Sequence, residues 1–320
     1  MSKQYEFVKA EQRSPEWFAL RKDGITATEA AVIAGLSPYK TPYQLWAEKL
    51  GKYEPEPVGP AAVRGLLLEG TVAEFYEMET GRKLKRSNGI VRLKEIPWVM
   101  ASLDRTVVGE PDLLVEVKTS TSPRWSAAPV PMDVQAQCQW QMFVTQAKAV
   151  DVAVLLGGLV FRIERVEASI DLQTDLYRKA VEFRNLLATG TPPPMSGKDS
   201  DAYATVVPQG SDEWAAADDQ AERIAQVYEE ARLEAKILDE QLSEYAMVLK
   251  EKIADKAGLS GNGWVATWKQ NKASVKTDWK AVAEVFEHVA PETYAEAVKR
   301  ATSENPGARV FRFKKEEFGE

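Results

Sequence analysis

The sequence predicts an α/β core with a mixed sheet flanked by helices, followed by a separate C-terminal α+β module. Between residues 13 and 188, helical spacing of apolar residues alternates with short strand-like runs, which is typical of a sheet covered by helices. A stretch rich in Pro, Gly and Ser then interrupts the pattern, and a long amphipathic segment follows it. We therefore predict a core over residues 1–190, a linker over 191–211, an acidic helical segment over 212–258 and a small α+β module over 259–320.

The first part of the core is predicted to be helical. Ser14, Pro15 and Glu16 favour a helix start, residues 24–29 start a second helix, and Thr41 with Pro42 starts a third. Apolar residues at helical spacing over 61–80 predict a helix of roughly twenty residues that ends at Gly81.

The second part of the core is predicted to contain the sheet. Extended runs over 83–86, 90–93, 99–103 and 113–117 form a meander, and 150–156 with 159–166 form a hairpin about two glycines. Helices are predicted over 129–145 and 171–188.

The C-terminal part is predicted to begin with one long amphipathic helix, or a helical hairpin, over residues 212–257. Beyond it, residues 264–269 and 309–314 alternate like strands, with a helix over 279–289 between them.

The composition restricts the chemistry that the protein can perform. Among 320 residues there is one cysteine, Cys138, and one histidine, His288, so a disulfide framework and a cysteine zinc cluster are excluded. Carboxylates and lysines are left as the main catalytic groups. The N-terminus does not resemble a signal peptide and no run of about 18 apolar residues occurs, so we expect a soluble cytoplasmic protein without a membrane anchor.

The net charge of -7 is unevenly distributed along the chain. Residues 1–200 contain 25 basic and 25 acidic residues, whereas residues 201–320 contain 16 basic and 23 acidic residues. Residues 201–257 alone contain six basic and 14 acidic residues. The N-terminal part is therefore the better candidate for contact with a polyanion.

A carboxylate and a lysine are predicted to project from the same face of one strand. In the run over 113–118, the strand period of two places Glu116 and Lys118 together, with Val115 and Val117 on the opposite face. A carboxylate can hold a divalent cation, and a neighbouring lysine can position water and offset developing charge in phosphodiester hydrolysis. The tripeptide alone is also compatible with a solvated strand edge.

Two further acids strengthen the hypothesis of a metal site. Asp104 ends the preceding strand, so that a hairpin can bring it next to Glu116, and Glu69 lies in a largely apolar helical stretch. Glu69 is equally compatible with an exposed helix acid beside Arg64 or Arg82. Asp112 is rejected as a ligand, because at strand rise it would lie about 13 Å from Glu116. Oxygen donors of this kind suit Mg²⁺ or Mn²⁺.

These residues resemble the motifs of the PD-(D/E)xK nuclease superfamily, and their flanks resemble the YqaJ-like viral recombinases, the group of the phage lambda exonuclease. The resemblance covers about residues 13–170 and implies a restriction-endonuclease-like core. Five ordered segments carry it: residues 17–28 resemble the opening motif, 65–69 Gly-x-x-x-Glu, 101–104 Ser-Pro-Asp, 116–118 Glu-x-Lys, and 136–142 the Gln-rich helix.

The resemblance implies roles for the candidate residues. Asp104, Glu116 and the Val117 carbonyl would bind metal, with Mg²⁺ as the natural ion, Mn²⁺ able to replace it, and two ions per site. Lys118 and Gln137 would position the water, and Glu69 would assist a second ion or the nucleophile.

A second set of residues is predicted to contact the DNA. The resemblance implies that Arg21 and Thr28 bind phosphate, plausibly the 5′-phosphate of a strand end; a surface arginine and a helix cap are the alternatives. Trp125 follows the catalytic strand and is a candidate for stacking on a frayed base, with core packing as an equal alternative.

Two positions depart from the family pattern. Leu103 replaces the proline before the aspartate, and Arg105 replaces the usual glycine after it. Both lie in the turn that carries Asp104, so the geometry of this turn is left open.

The function implied is a metal-dependent 5′-to-3′ exonuclease that acts on double-stranded DNA ends and leaves 3′ single strands for a phage-type single-strand annealing protein. The resemblance also implies a homo-oligomeric ring, such as a trimer. The alternatives are a structure-specific or site-specific endonuclease with the same residues, and a catalytically inactive module that binds DNA ends or proteins.

Overall fold

The computed structural model describes residues 4–11, 14–54, 59–207, 213–271 and 276–303. The chain divides into two compact units, Met1–Pro208 and Gln209–Glu320. Within the described ranges, no helix is both long enough and apolar enough to cross a membrane.

The first unit is a mixed α/β structure, as predicted. Its helices are α1 (Pro15–Asp23), α2 (Ala27–Ile33), α3 (Pro42–Lys49), α4 (Pro60–Thr80), α5 (Arg124–Ala127), α6 (Met132–Thr145), α7 (Ile170–Thr189) and α8 (Ser200–Val206). Its strands are β1 (Tyr5–Lys9), β2 (Leu84–Arg86), β3 (Gly89–Leu93), β4 (Met100–Ser102), β5 (Arg105–Val107), β6 (Glu110–Ser120), β7 (Ala149–Leu156) and β8 (Val160–Glu167).

The central sheet has five strands in the order β2-β5-β6-β7-β8. Strands β6 and β7 are parallel, with Glu116 opposite Val152, and the other neighbouring pairs are antiparallel. Because α6 connects β6 to β7, the parallel pair is a crossover unit of the usual kind. The predicted class, a mixed sheet flanked by helices, is confirmed.

Helices cover both faces of this sheet. On one face, Leu114 and Val152 belong to a large apolar core with residues of α2, α6 and α7, including the fully buried Trp140. On the other face, Val115 and Val117 pack with Val72 and Tyr76 of α4. The strand period therefore places Glu116 on the face that α6 covers.

The predicted meander is divided between two sheets. Strands β3 and β4 pair with β1 in a separate antiparallel sheet, in the order β1-β3-β4. Two strands were not predicted: β1, which is a half-exposed edge strand, and β5, which has only three residues. The chain passes from the small sheet to the central one between Ser102 and Arg105, so Asp104 lies at this crossing.

Local signals fix the ends of the long helix α4. Pro60 occupies its first turn, where the missing N–H costs no hydrogen bond. Gly81 ends it with φ at 70°, a conformation that glycine adopts without steric cost. The helix predicted over 61–80 is thus present within one residue.

Residues 196–206, which were predicted to belong to a linker, instead form ordered structure in the first unit. A capping box between Ser196 and Asp199 closes a 3-10 turn over Gly197–Asp199, and α8 follows directly. The Asp199 carboxylate is buried and accepts a hydrogen bond from the Thr41 hydroxyl at the start of α3. The composition marks a break in periodicity, but it does not exclude packing by a short helix.

The second unit begins with one continuous helix, α9 (Asp219–Ile253), so the alternative of a helical hairpin is not adopted. A two-stranded sheet of β9 (Gly258–Gly261) and β10 (Trp264–Thr267) follows, then α10 (Trp279–Val289) and α11 (Pro291–Ala301). The strand predicted over 309–314 lies outside the described residues.

A buried hydrogen-bond network joins α4 to the central sheet. The Asp151 side chain of β7 is only 2% exposed. It accepts a 2.7 Å hydrogen bond from the Tyr76 hydroxyl of α4 and two hydrogen bonds, of 2.8 and 3.0 Å, from the Arg165 guanidinium of β8. Because Glu69 lies on the same helix, this network also helps to hold Glu69 in place.

We predict that Asp151→Ala lowers the free energy of unfolding by about 2–4 kcal/mol, because it leaves the Tyr76 hydroxyl buried without an acceptor. Urea denaturation followed by tryptophan fluorescence measures the effect. Asp112→Ala is the matched control: its ion pair with Lys148 is exposed, so its loss should cost less than about 1 kcal/mol. Equal losses in the two variants would contradict the structural role of the network.

Candidate active site

Strand β6 brings Glu116 and Lys118 into direct contact. They are two residues apart on one face, and the Lys118 Nζ donates a hydrogen bond to the Glu116 Oε1 over 2.5 Å. Glu116 is 2% exposed, whereas the Lys118 side chain is 27% exposed. The carboxylate is thus held inside the protein, and the lysine reaches from it toward the surface.

Helix α6 supplies the remaining hydrogen bonds to Glu116. Gln137 donates to Oε1 over 2.5 Å, and Gln141, one turn later, donates to Oε2 over 2.7 Å. The Gln137 side-chain oxygen Oε1 also accepts a hydrogen bond from the Lys118 Nζ over 3.0 Å. Since a buried carboxylate is costly unless hydrogen-bonded, these contacts explain why α6 carries glutamines on the face toward the sheet.

Asp104 lies beside Glu116 because of the crossing between the two sheets. Arg105 is opposite Val115 in the β5–β6 pairing, which places the preceding residue near Glu116 and Val117. The Asp104 Oδ2 accepts a 2.9 Å hydrogen bond from the Val117 N–H.

The surroundings of Asp104 strongly affect its ionisation. Burial, followed by the nearby negative charge of Glu116, raises the pKa of Asp104 to about 8. For Lys118, burial favours the neutral amine, but the charges of Glu116 and Asp104 outweigh it and raise its pKa. Near neutral pH the site therefore carries a proton on Asp104, together with the charged ammonium of Lys118.

One cavity of about 520 Å³ is lined by every residue assigned to metal, catalysis or phosphate in the sequence analysis. These are Arg21, Thr28, Glu69, Asp104, Glu116, Val117, Lys118 and Gln137. They come from α1, α2, α4, β6, α6 and the segment between β4 and β5. The fold thus gathers side chains that are more than 110 residues apart in the sequence.

Arg21 forms the cationic end of this cavity. Its guanidinium lies 4.2 Å from the centre of the Trp17 ring and donates to the Thr26 hydroxyl over 3.3 Å. Among the described residues it has no acidic partner at ion-pair distance; Lys49 forms the ion pair with the nearby Glu29. Burial lowers the pKa of Arg21, although an arginine keeps its charge at any physiological pH. A half-buried cation whose nearest acid, Glu29, is ion-paired with Lys49 keeps hydrogen-bond donors that could bind an anion.

Ser102 lies on the wall of the same cavity. Its hydroxyl is buried and has no hydrogen-bond partner within the part of the chain that the structure describes. Buried polar groups of this kind are rare in folded proteins and call for a partner. The sequence analysis did not select Ser102, although the Ser-Leu-Asp motif contains it.

Glu69 is engaged by Arg105. The Arg105 Nη1 donates to the Glu69 Oε1 over 2.6 Å and to the Asp104 carbonyl oxygen over 2.8 Å. Arg82, a partner considered for Glu69 in the sequence analysis, pairs with Glu110 instead. Arg105 begins β5 without a positive φ, so the position does not require the glycine of the family pattern.

Two sequence-based interpretations concern residues outside this cavity. Asp112 is exposed and pairs with Lys148, which agrees with its rejection as a metal ligand. Trp125, the candidate for stacking on a base, is 4% exposed and belongs to the large apolar core, which favours the packing alternative. A tryptophan next to a catalytic strand is compatible with either role, and only the packing distinguishes them.

An exposed aromatic side chain does lie beside the site, on a different segment. A neighbouring cavity of about 460 Å³ shares Thr28, Lys118 and Gln137 with the first one and is also lined by Tyr39 and Arg124. The Arg124 guanidinium lies 5.5 Å from the centre of the Tyr39 ring and donates to its hydroxyl over 3.2 Å. Tyr39 was missed because the loop after α2 carries no motif.

The donor set suits a divalent cation bound by two carboxylates. Asp104 and Glu116 line one cavity. The raised pKa of Asp104 reflects its burial first and then the negative charge of Glu116, and a cation would offset both. Among the described residues, no group of three or more His, Cys, Asp or Glu side chains could hold a metal ion together. Glu69 therefore does not complete a three-carboxylate cluster with them.

The elevated pKa of Asp104 predicts how stability depends on pH. An aspartate in an unfolded chain has a pKa of about 3.9. Between about pH 4 and 8, Asp104 is therefore protonated more fully in the folded protein than in the unfolded one. Its free energy of unfolding should then fall with rising pH, by up to about 1.4 kcal/mol per pH unit from this group. Asp104→Asn removes the effect.

Melting temperatures in EDTA between pH 4 and 9 test this prediction. The advantage of Asp104→Asn over wild type should be small near pH 4 and grow toward pH 8. Asp112→Asn, an exposed acid on β6, controls for the loss of a carboxylate. Parallel curves for wild type and Asp104→Asn would show that Asp104 does not hold the proton.

Comparison with known proteins identifies relatives of the chain. The YqaJ-like viral recombinase domain matches residues 16–148, which include all the candidate site residues. The Bacillus subtilis (strain 168) protein called "Uncharacterized protein YqaJ" is 30% identical over 302 residues, covering 89% of this chain and 93% of the relative.

Two solved structures are also similar. An alkaline exonuclease (LHK-Exo) from Laribacter hongkongensis is 21% identical with a TM-score of 0.47, over 61% of this chain and 100% of its own. A phage-related exonuclease from Haemophilus somnus 129PT is 11% identical with a TM-score of 0.40, over 57% of this chain and 95% of its own. The domain match and the 30% identity to YqaJ over 89% of this chain show that the chain belongs to the YqaJ-like viral recombinase family.

Proposed function

We propose that this protein is a metal-dependent 5′-to-3′ exonuclease that acts on double-stranded DNA ends and leaves 3′ single strands. The observation that carries the proposal is one cavity that is lined by Asp104, Glu116 and Lys118 together with the cation Arg21. The two carboxylates and the lysine would catalyse phosphodiester hydrolysis, and the separate anion site at Arg21 would recognise the end of a strand.

The proposed chemistry assigns a task to each residue. A Mg²⁺ or Mn²⁺ ion bound by Asp104, Glu116 and the Val117 carbonyl would polarise the scissile phosphate and lower the pKa of the attacking water. Lys118 is charged in the free site, so it acts as a hydrogen-bond donor that offsets the developing negative charge. Gln137, which contacts both Lys118 and Glu116, orients the lysine and the water.

The second proposed task is recognition of a terminal 5′-phosphate. Arg21 provides a charged donor, and the hydroxyl residues Thr28 and Ser102 also line the same cavity. The buried Ser102 hydroxyl would find in a phosphate oxygen the partner that it otherwise lacks. An end-binding subsite next to the catalytic groups favours an exonuclease over an enzyme that cuts within a duplex.

We predict that Lys118→Ala lowers the rate of Mg²⁺-dependent digestion of linear duplex DNA roughly 100- to 1000-fold, because a donor to the transition-state charge is removed. Single-turnover digestion of end-labelled duplexes measures the rate. Lys148→Ala, at the exposed start of β7, is the matched control and should retain activity. Full activity in Lys118→Ala would refute the catalytic assignment and favour a module that only binds DNA ends.

We predict that Arg21→Ala removes the preference for 5′-phosphorylated ends. Loss of a charged, partly buried contact to phosphate should lower kcat/KM on phosphorylated duplexes about 10- to 100-fold. On duplexes with a 5′-hydroxyl, the variant and wild type should be similar. Arg178→Ala, on the exposed face of α7, is the control. A wild-type enzyme indifferent to the 5′-phosphate would refute the proposed subsite.

An endonuclease with the same catalytic residues is the competing function. Linear and covalently closed circular DNA of the same sequence separate the two: an exonuclease should degrade the linear form alone, and rapid cutting of the closed circle would support the endonuclease. The direction of digestion follows from duplexes labelled at the 5′ or the 3′ end.

We further propose a ring-forming homo-oligomer, such as a trimer, and a phage-type single-strand annealing protein as the partner. Both proposals rest on membership of the family. The acidic segment, with six basic and 14 acidic residues over 201–257, is better suited to a protein contact than to DNA, because it would repel phosphates. Light scattering coupled to gel filtration measures the number of subunits.

A further inference from the structure

The contact between Arg105 and Glu69 changes what the catalytic cavity can bind. Arg105 immediately follows Asp104, and its side chain is 10% exposed, against 14% for Glu69. One nitrogen, Nη1, donates both to the Glu69 carboxylate over 2.6 Å and to the Asp104 main-chain carbonyl over 2.8 Å. The guanidinium is therefore fixed between the backbone of the metal-binding aspartate and the third acid of the cavity.

A divalent cation that bound to Glu69 would have to compete with the ion pair between Glu69 and Arg105. A guanidinium does not lose its proton in a protein, so the charge of Arg105 is permanent. A second ion bound between Glu69 and Asp104 would have to displace Arg105 or lie beside it. Displacement would break a buried ion pair, and a position beside Arg105 would bring two positive charges together. Among the described residues, no three acids gather into a metal-binding group.

We propose that Arg105 is a positioning residue that replaces the second metal ion, so that the site binds one divalent cation, at Asp104 and Glu116. The inference rests on the proposed metal-dependent function and departs from the two ions that the family resemblance implies. Arg105 holds Glu69 and the Asp104 backbone in place and supplies a fixed positive charge on the Glu69 side of the cavity.

The experiment counts bound ions in the full-length protein without DNA. Isothermal titration with Mn²⁺, together with the electron paramagnetic resonance spectrum of the bound ion, should give one ion per chain for wild type. The spectrum should lack the coupling between ions that a pair of adjacent Mn²⁺ ions shows. Two coupled ions in wild type would overturn the proposal.

Variants of Arg105 and Glu69 test whether their ion pair determines the number of bound Mn²⁺ ions. Arg105→Ala releases Glu69 and should raise the count to two, whereas Arg105→Lys retains the charge and should leave it at one. Arg105→Ala combined with Glu69→Gln should return to one, because the released carboxylate is then absent. A count of one in a folded Arg105→Ala protein would overturn the role of Arg105.

Two further controls keep the outcomes distinct. Melting curves identify any variant that does not fold; Arg105→Gln, which keeps most of the volume without the charge, then takes the place of Arg105→Ala with the same expected count of two. Asp104→Asn should abolish the single wild-type ion. If wild type binds no Mn²⁺, or binds it equally well in Asp104→Asn, the proposed metal site itself fails, whereas loss of binding in Asp104→Asn supports that site whatever the result for Arg105.

Discussion

The burial of the Glu116 carboxylate in the middle of the central sheet is the constraint on which the rest of the site depends. A carboxylate that is 2% exposed must be compensated, and its partners here are Lys118 on the same strand and Gln137 and Gln141 on α6. The requirement ties the catalytic strand to the crossover helix. Any shift of α6 by one residue would remove both amides at once, since they are one helical turn apart. The parallel pairing of β6 with β7, which α6 connects, is thus part of the chemistry as well as of the fold.

The second organising feature is the passage of the chain from the small sheet to the central one. Strand β4 ends at Ser102 and β5 begins at Arg105, so the crossing delivers three functional groups within four residues. These are the Ser102 hydroxyl, the Asp104 carboxylate and the Arg105 guanidinium. Helix α4 covers the opposite face of the sheet and carries Glu69. The hydrogen bond from the Tyr76 hydroxyl of this helix to Asp151 of β7 holds the helix against the sheet. The cavity therefore lies where the crossing between the two sheets meets α4, and the buried ion pair of Glu69 with Arg105 joins these two segments.

Positive and negative charges alternate around the cavity. Arg21 and Lys118 line it together with Asp104, Glu116 and Glu69, and Arg105 pairs with Glu69. The acid pair raises the pKa of Lys118, which keeps the lysine charged, and the lysine in turn limits the cost of burying the acids. Residues 201–257 have the opposite character, with an excess of eight acidic residues.

Local periodicity in the sequence was sufficient to determine the class of fold, the limits of α4 and α10, and the common face of Glu116 and Lys118. Each of these depends on the orientation of side chains about their own backbone, which a period of 3.6 or 2 encodes. Proximity along the chain was also enough to suggest that Asp104 lies near Glu116. Contacts between distant elements depend on how helices and strands pack, and only the tertiary structure decided them. It buried Trp125, assigned β3 and β4 to a second sheet, packed residues 196–206 on the first unit, and paired Glu69 with Arg105, 36 residues away. No pattern in the sequence carries that last contact, because it depends on the depth at which α4 crosses the sheet.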